Sequence, residues 1–163
     1  MEFTTSVRIA CPLDEVFAYV ADPLNFPRWN SAVQAVRKTS AGESGVASTY
    51  SMERELPTGR VVNELEIVAH ERPGEFALRT TLGPTPFAYR YRFAAENGET
   101  VVQLDAAFEL EGAAALLGPL AARAVRRGVD DNFAALKEFL ELRAGATAPA
   151  ARLRDRGRAR PGA

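Results

Sequence analysis

The sequence predicts an α+β domain: a curved antiparallel sheet of about seven strands wrapped around one long C-terminal helix, with two short helices inserted after the first strand. Three observations carry that reading. The N-terminal stretch runs from an alternating strand, EFTTSVRIA, into CPLDEVFAYVADPLNFPRWNSAVQAVRKT, which reads as two short helices and a return to strand. The middle of the chain alternates apolar and polar residues with period two, broken only by short turns. The C-terminal third holds a helix that is apolar on one side only.

The elements follow in order. Phe3, Thr5, Val7 and Ile9 share one face of the first strand. Pro12 follows it, and Asp14 and Glu15 fall in the first turn of a short helix built on Val16, Phe17, Tyr19 and Val20. Asp22-Pro23 stops that helix and starts the next, which ends in Phe26-Pro27-Arg28-Trp29-Asn30. Val33 to Arg37 is the first return strand, and the turn SAGESG leads to Val46–Arg54, where Val46, Ser48, Tyr50 and Met52 share a face. After Pro57-Thr58-Gly59, the strand Arg60–His70 puts Val61, Asn63, Leu65 and Ile67 on one side. Arg72-Pro73-Gly74 turns into Phe76, Leu78, Thr80 and Leu82, and Gly83-Pro84-Thr85-Pro86 breaks the chain again. Phe87, Tyr89, Tyr91 and Phe93 then alternate with Ala88, Arg90 and Arg92. Asn97-Gly98 is a hairpin signal, and the last strand sets Val102, Leu104, Ala106, Phe108 and Leu110 against Gln103, Asp105 and Glu109. Every connection after Thr39 is short, which makes the sheet an antiparallel meander with one apolar face.

The final helix begins at Ala113 or at Pro119 and runs to Leu142. Projected at about 100° per residue, one face carries Ala121, Val125, Gly128, Val129, Asn132, Leu136 and Phe139. The opposite face carries charges, with Arg126–Asp130, Arg127–Asp131 and Lys137–Glu141 spaced to pair at i,i+4. Such a one-sided helix must lie on the apolar face of the sheet. A bent sheet cannot close on it everywhere, so a pocket between them is expected.

The composition narrows the function. A chain of 163 residues with 47% hydrophobic content holds one core, which we place at residues 1–142. A net charge of −1 provides no basic field for nucleic acid. One cysteine, Cys11, and one histidine, His70, rule out an internal disulfide, a multi-cysteine metal site and any site needing two imidazoles. No apolar run has the length of a membrane span and no signal peptide is legible, so a cytoplasmic location is expected. Residues 143–163, RAGATAPAARLRDRGRARPGA, lack large apolar side chains and are expected to be disordered.

Within Pro12–Asn30 the wording DEVFAYVADPLNFPRWN, and later GVASTY, HERPGEF and NFAALKEFLE, resembles the START/Bet v 1-like (SRPBCC) superfamily, especially its bacterial polyketide cyclase/dehydrase branch. The resemblance covers roughly Phe3 to Leu142 and implies the helix-grip fold. It implies a small or medium-sized hydrophobic ligand held in an internal cavity, with no cofactor or metal, and it carries no universal catalytic motif across.

The candidate ligand-binding residues are polar or aromatic groups on inward faces. Asn132 lies within the apolar stripe of the long helix, and a buried amide needs partners. Gly128 beside it either leaves room for a ligand or allows close approach to the sheet. Tyr50, Tyr89 and Tyr91 share faces with apolar neighbours and can orient a carbonyl or supply a proton to an enolate. Asn63 and Thr80 are further inward polar groups, and Trp29 is a packing anchor or a rim contact. His70 is expected to point outward, by parity with Leu65 and Ile67. No inward carboxylate pair is legible, which excludes glycosidase or aspartic-protease chemistry. Two functions remain: a cyclase-like enzyme that folds a flexible poly-β-ketone by proximity and water exclusion, or a non-catalytic carrier of a lipid, quinone or aromatic metabolite.

Overall fold

The computed structural model describes residues 1–56, 59–109 and 118–147. Its strands are β1 (Glu2–Ile9), β2 (Val33–Lys38), β3 (Thr49–Leu56), β4 (Gly59–Glu71), β5 (Glu75–Leu82), β6 (Phe87–Glu96) and β7 (Glu99–Phe108). They form a single antiparallel sheet in the order β1-β7-β6-β5-β4-β3-β2. All but one connection is a meander; the exception carries the chain from β1 at one edge to β2 at the other. Helix α1 (Leu13–Val20) and a 3₁₀ helix (Pro23–Arg28) make that crossing. Helix α2 (Gly118–Thr147) lies along β1. This is the expected helix-grip arrangement.

Local chemistry explains the crossing. Helix α1 buries Val16, Phe17, Tyr19 and Val20 and ends where the Ala21 N–H donates to the Phe17 carbonyl. Asp22 then caps the 3₁₀ helix, its carboxylate accepting from the Leu24 N–H at 3.0 Å, with proline at the first helical position. Phe26 and Trp29 close it with an edge-on ring contact of 5.4 Å, and both are buried.

The sheet's concave face and the helix enclose one core cluster, in which Tyr50, Phe76, Leu78, Tyr91, Leu104 and Leu136 are almost wholly enclosed. Helix α2 presents Val129, Phe133, Leu136 and Leu140 to it. It is pinned to β1 by Thr5 donating to Asp130 (2.6 Å), Lys137 donating to the Arg8 carbonyl (2.7 Å), and Glu141 accepting from the Ala10 N–H (2.7 Å).

Several elements depart from the sequence reading. β3 starts at Thr49, because Ala47 sits at φ 67° and interrupts the extended run. His70 was expected outward, yet its ring packs edge-on against Phe17 (5.5 Å) and Phe76 (6.1 Å). A register shift between Ile67 and Ala69 inserts one residue and reverses the parity beyond it. Of the expected helix pairs, Lys137–Glu141 forms at 2.7 Å. Among the described residues the other two do not: Asp130 takes Thr5 instead, and Arg126 stacks over Phe3 at 5.9 Å. The helix continues through Thr147, past the boundary expected after Leu142, and the rest of the tail lies outside the described residues, as does a start at Ala113.

Among the described residues, Gly83 is the glycine with no room for a side chain. Its φ is +115°, and a Cβ there would sit 2.4 Å from the Val62 carbonyl oxygen. Gly83→Ala is expected to lower stability by about 1–3 kcal/mol from backbone strain alone, read as a lower midpoint in urea with an unchanged slope.

Candidate ligand-binding site

The grip is packed around Phe76, Tyr91 and Phe133, with successive ring centroids 6.0 and 6.4 Å apart. Towards the N-terminus of α2, Leu120 is 69% exposed. The concave face there is floored by Phe3, Phe87, Tyr89 and Phe108, linked by ring contacts of 4.8 to 6.3 Å. A recess of about 390 Å³ lies at the edge of the floor, reaching the convex face, lined by Glu2, Arg79, Ala88 and Ala107 as well as Thr80, Pro86, Phe87 and Phe108. A second, about 510 Å³, lies over the convex face at Ala77, Ala88 and Ala107. Neither of these recesses is lined by α2, so neither is the expected pocket between sheet and helix.

One charged side chain is buried against this floor, and the sequence reading did not name it. Arg54 on β3 is 8% exposed and lies 5.1 Å over the Phe87 ring. Its Nε and Nη2 donate to Asn63 Oδ1 (3.2 and 2.7 Å), and Nη2 also reaches Thr85 Oγ1 (2.5 Å) and the Thr85 carbonyl (3.4 Å). Every one of these acceptors is neutral. Arg54 forms no ion pair among the described residues, although a buried cation normally demands one. Burial lowers its pKa from the usual arginine value while the neighbouring Tyr89 opposes that, and a guanidinium stays charged at neutral pH.

The two inward tyrosines of β6 complete a group of donors. Burial raises the Tyr91 phenol well above its ordinary value, with Tyr89 adding to the effect. It raises Tyr89 as well, against the pull of Arg54. Both are therefore neutral donors throughout the physiological range. The buried side-chain donors without a hydrogen-bond partner among the described residues are the Tyr19 hydroxyl and Trp29 Nε1, neither of them on β6. A buried cation held by neutral acceptors therefore stands over an aromatic floor.

The raised phenols fix an alkaline limit. The unfolded chain ionises first, near the ordinary tyrosine value of about 10. Stability is complete below that pH and is lost as pH climbs above it. The melting temperature should be level between about pH 7 and 9 and fall beyond about 10, with Tyr91→Phe falling less steeply.

The structure brings together some of the sequence-predicted residues and separates others. Asn63 is completely buried and joins Arg54, while its Nδ2 donates to the Pro84 carbonyl at 2.6 Å. Tyr89 is beside Arg54, and Tyr91 lies deeper on the same strand. Thr80 accepts from the Phe87 N–H at 3.3 Å, at the rim of the recess. Tyr50 is committed to Ser44 at 2.7 Å. Asn132 faces the crossing segment: its Oδ1 accepts from the Ser31 N–H (3.1 Å) and hydroxyl (3.3 Å), so it ties α2 to the start of β2. Gly128 is exposed with open space around it, so close approach to the sheet does not explain it. Trp29 is buried against Phe26.

A bent antiparallel sheet gripping one long helix defines the helix-grip fold. The chain belongs to the family described as polyketide cyclase / dehydrase and lipid transport, whose model matches residues 1–141. Among solved structures it is similar to the ZhuI aromatase/cyclase from Streptomyces sp. R1128, with a TM-score of 0.70 and 15% identity over 88% of this chain and 95% of that one. The protein TTHA0849 from Thermus thermophilus matches with a TM-score of 0.70 and 17% identity over 91% and 100%. A START superfamily protein from Mycobacterium smegmatis matches with a TM-score of 0.66 and 16% identity over 89% and 97%. At these identities the likeness is one of fold. No curated protein matches the chain in sequence. Among the described residues no helix is long and apolar enough to cross a membrane, and no three His, Cys, Asp or Glu side chains gather where a metal could sit.

Proposed function

We propose that this protein binds an apolar small molecule over the aromatic floor of its grip and holds an oxygen of that molecule, a carbonyl, enolate or carboxylate, against Arg54 and Tyr89. The observation that carries the reading is the buried guanidinium whose acceptors are all neutral, set over an aromatic floor. Membership of a family of cyclases, dehydrases and lipid-transport proteins supports an apolar ligand.

The same geometry serves a cyclase-like reaction. Ring closure of a poly-β-ketone passes through an enolate, and a fixed cation with a neutral phenol beside it stabilises charge that develops on oxygen. The floor would hold the chain folded so that the reacting carbons meet, which supplies much of the rate. A carrier that recognises the same oxygen without turnover is the second reading. It is favoured by the concave face's shortage of a general base: the acceptors around Arg54 are an amide, a carbonyl and a hydroxyl.

Native mass spectrometry of the protein as purified, with extraction of any bound species, tests the shared claim. An apolar, oxygen-bearing molecule released in stoichiometric amount supports it. A protein that is empty, and that no apolar acid, quinone or aromatic ketone stabilises against heat, would contradict it.

A further inference from the structure

The loop joining β5 to β6, Gly83-Pro84-Thr85-Pro86, holds an unusual backbone. Gly83 and Thr85 both lie at positive φ, +115° and 55°, and for the threonine that conformation costs on the order of 1 kcal/mol. Pro84 and Pro86 have no N–H, so the loop has few donors of its own with which to fix itself. Two side chains from the concave face hold it instead. Asn63 Nδ2 donates to the Pro84 carbonyl at 2.6 Å, and Arg54 Nη2 donates to Thr85 Oγ1 at 2.5 Å and the Thr85 carbonyl at 3.4 Å. The Thr85 hydroxyl in turn donates to the Pro84 carbonyl at 2.6 Å. Arg54 is the cation that the proposed site offers to a ligand, and the loop's own oxygens occupy it. The loop also borders a recess at the edge of the floor: Pro86 and Phe87 help line the one of about 390 Å³.

We propose that Pro84-Thr85 is an internal stand-in for the ligand, and that an apolar molecule carrying a carboxylate or enolate opens the β5–β6 loop by taking Arg54 from Thr85. The inference rests on the functional reading above. Hydrogen bonds between a guanidinium and an anionic oxygen are roughly twice as strong as those to neutral acceptors, so a charged oxygen outcompetes a threonine hydroxyl and a carbonyl. Losing Arg54 leaves the loop's strained residues with Asn63 and their own Thr85–Pro84 hydrogen bond, and the loop relaxes. A neutral apolar ligand has no such advantage over Thr85 and leaves the loop shut. A ligand moves such an equilibrium only by its difference in affinity for the two states, and the anionic oxygen is the source of that difference. Admission is thereby tied to the group that the site recognises.

Amide hydrogen exchange at Gly83 and Thr85 in the full chain tests this, with decanoate and 1-decanol as probes and calorimetry reporting independently whether each binds. Arg54→Met should speed loop exchange several-fold without ligand, and Thr85→Ala, which keeps the arginine, should do so to a smaller extent. Decanoate should bring the wild-type loop towards the Arg54→Met rate, while decanol should not. Equal loop exchange in wild type and both variants overturns the clasp, and Thr85→Ala alone decides the point where Arg54→Met fails to fold. Bound decanoate with an unchanged loop, or decanol opening it equally, overturns the anion-driven release. Binding of neither probe overturns the functional reading and ligand-driven opening with it.

Discussion

Replacing Asn63 with leucine is expected to destabilise the fold by about 3 kcal/mol, more than replacing the arginine it holds. Asn63 Oδ1 takes two of the hydrogen bonds of the buried Arg54, and its Nδ2 anchors Pro84. Leucine fills a similar volume but leaves a buried cation with Thr85 as its remaining acceptor, where a poorly paired charge is costly. Arg54→Met strands only a neutral amide oxygen, and the loss is offset by removing the charge and retaining an unbranched apolar stem over Phe87. The double variant Arg54→Met/Asn63→Leu should therefore be more stable than Asn63→Leu alone. Urea unfolding of the three variants measures this as a double-mutant cycle. A double variant at least as unstable as the sum of the singles would show that Asn63 acts independently of the arginine.

The second large effect is on ligand. Arg54→Met should weaken the binding of an apolar carboxylate by about 10- to 100-fold, the loss of a hydrogen bond to a charged group worth ~1.5–3 kcal/mol. Binding of the matching alcohol should change little. The contrast separates recognition of an oxygen anion from loss of packing, because methionine keeps much of the apolar contact with Phe87.

The sequence carried the sheet, because period-two alternation survives in nearly every strand. It placed Asn63, Tyr89 and Tyr91 on the inner face for that reason. Arg54 was legible by the same parity, two residues beyond Met52 and four beyond Tyr50, but a charged residue near a strand end reads as solvated. What buries it is the return of the Gly83–Pro86 loop over β3 and β4, a contact 31 residues away in the chain. His70 was placed on the wrong side by a bulge that alternation does not register. The helix was read correctly as one-sided but rotated. Phe133 and Leu140 join Val129 and Leu136 in the core, while Asn132 turns to Ser31 and Gly128 to open space. Hydrophobic periodicity gives a stripe about half a turn wide, and the anchoring of α2 along β1 through Thr5, Arg8 and Ala10 selects its centre. That anchoring is tertiary and leaves no local mark.

Calorimetric titration of decanoate and 1-decanol into the wild-type protein and Arg54→Met at pH 7 tests the central claim most directly. The account predicts that the wild type binds the carboxylate more tightly than the alcohol and that Arg54→Met abolishes the preference while remaining folded. Equal affinity for both probes in the wild type, or a preference that survives in Arg54→Met, would contradict it.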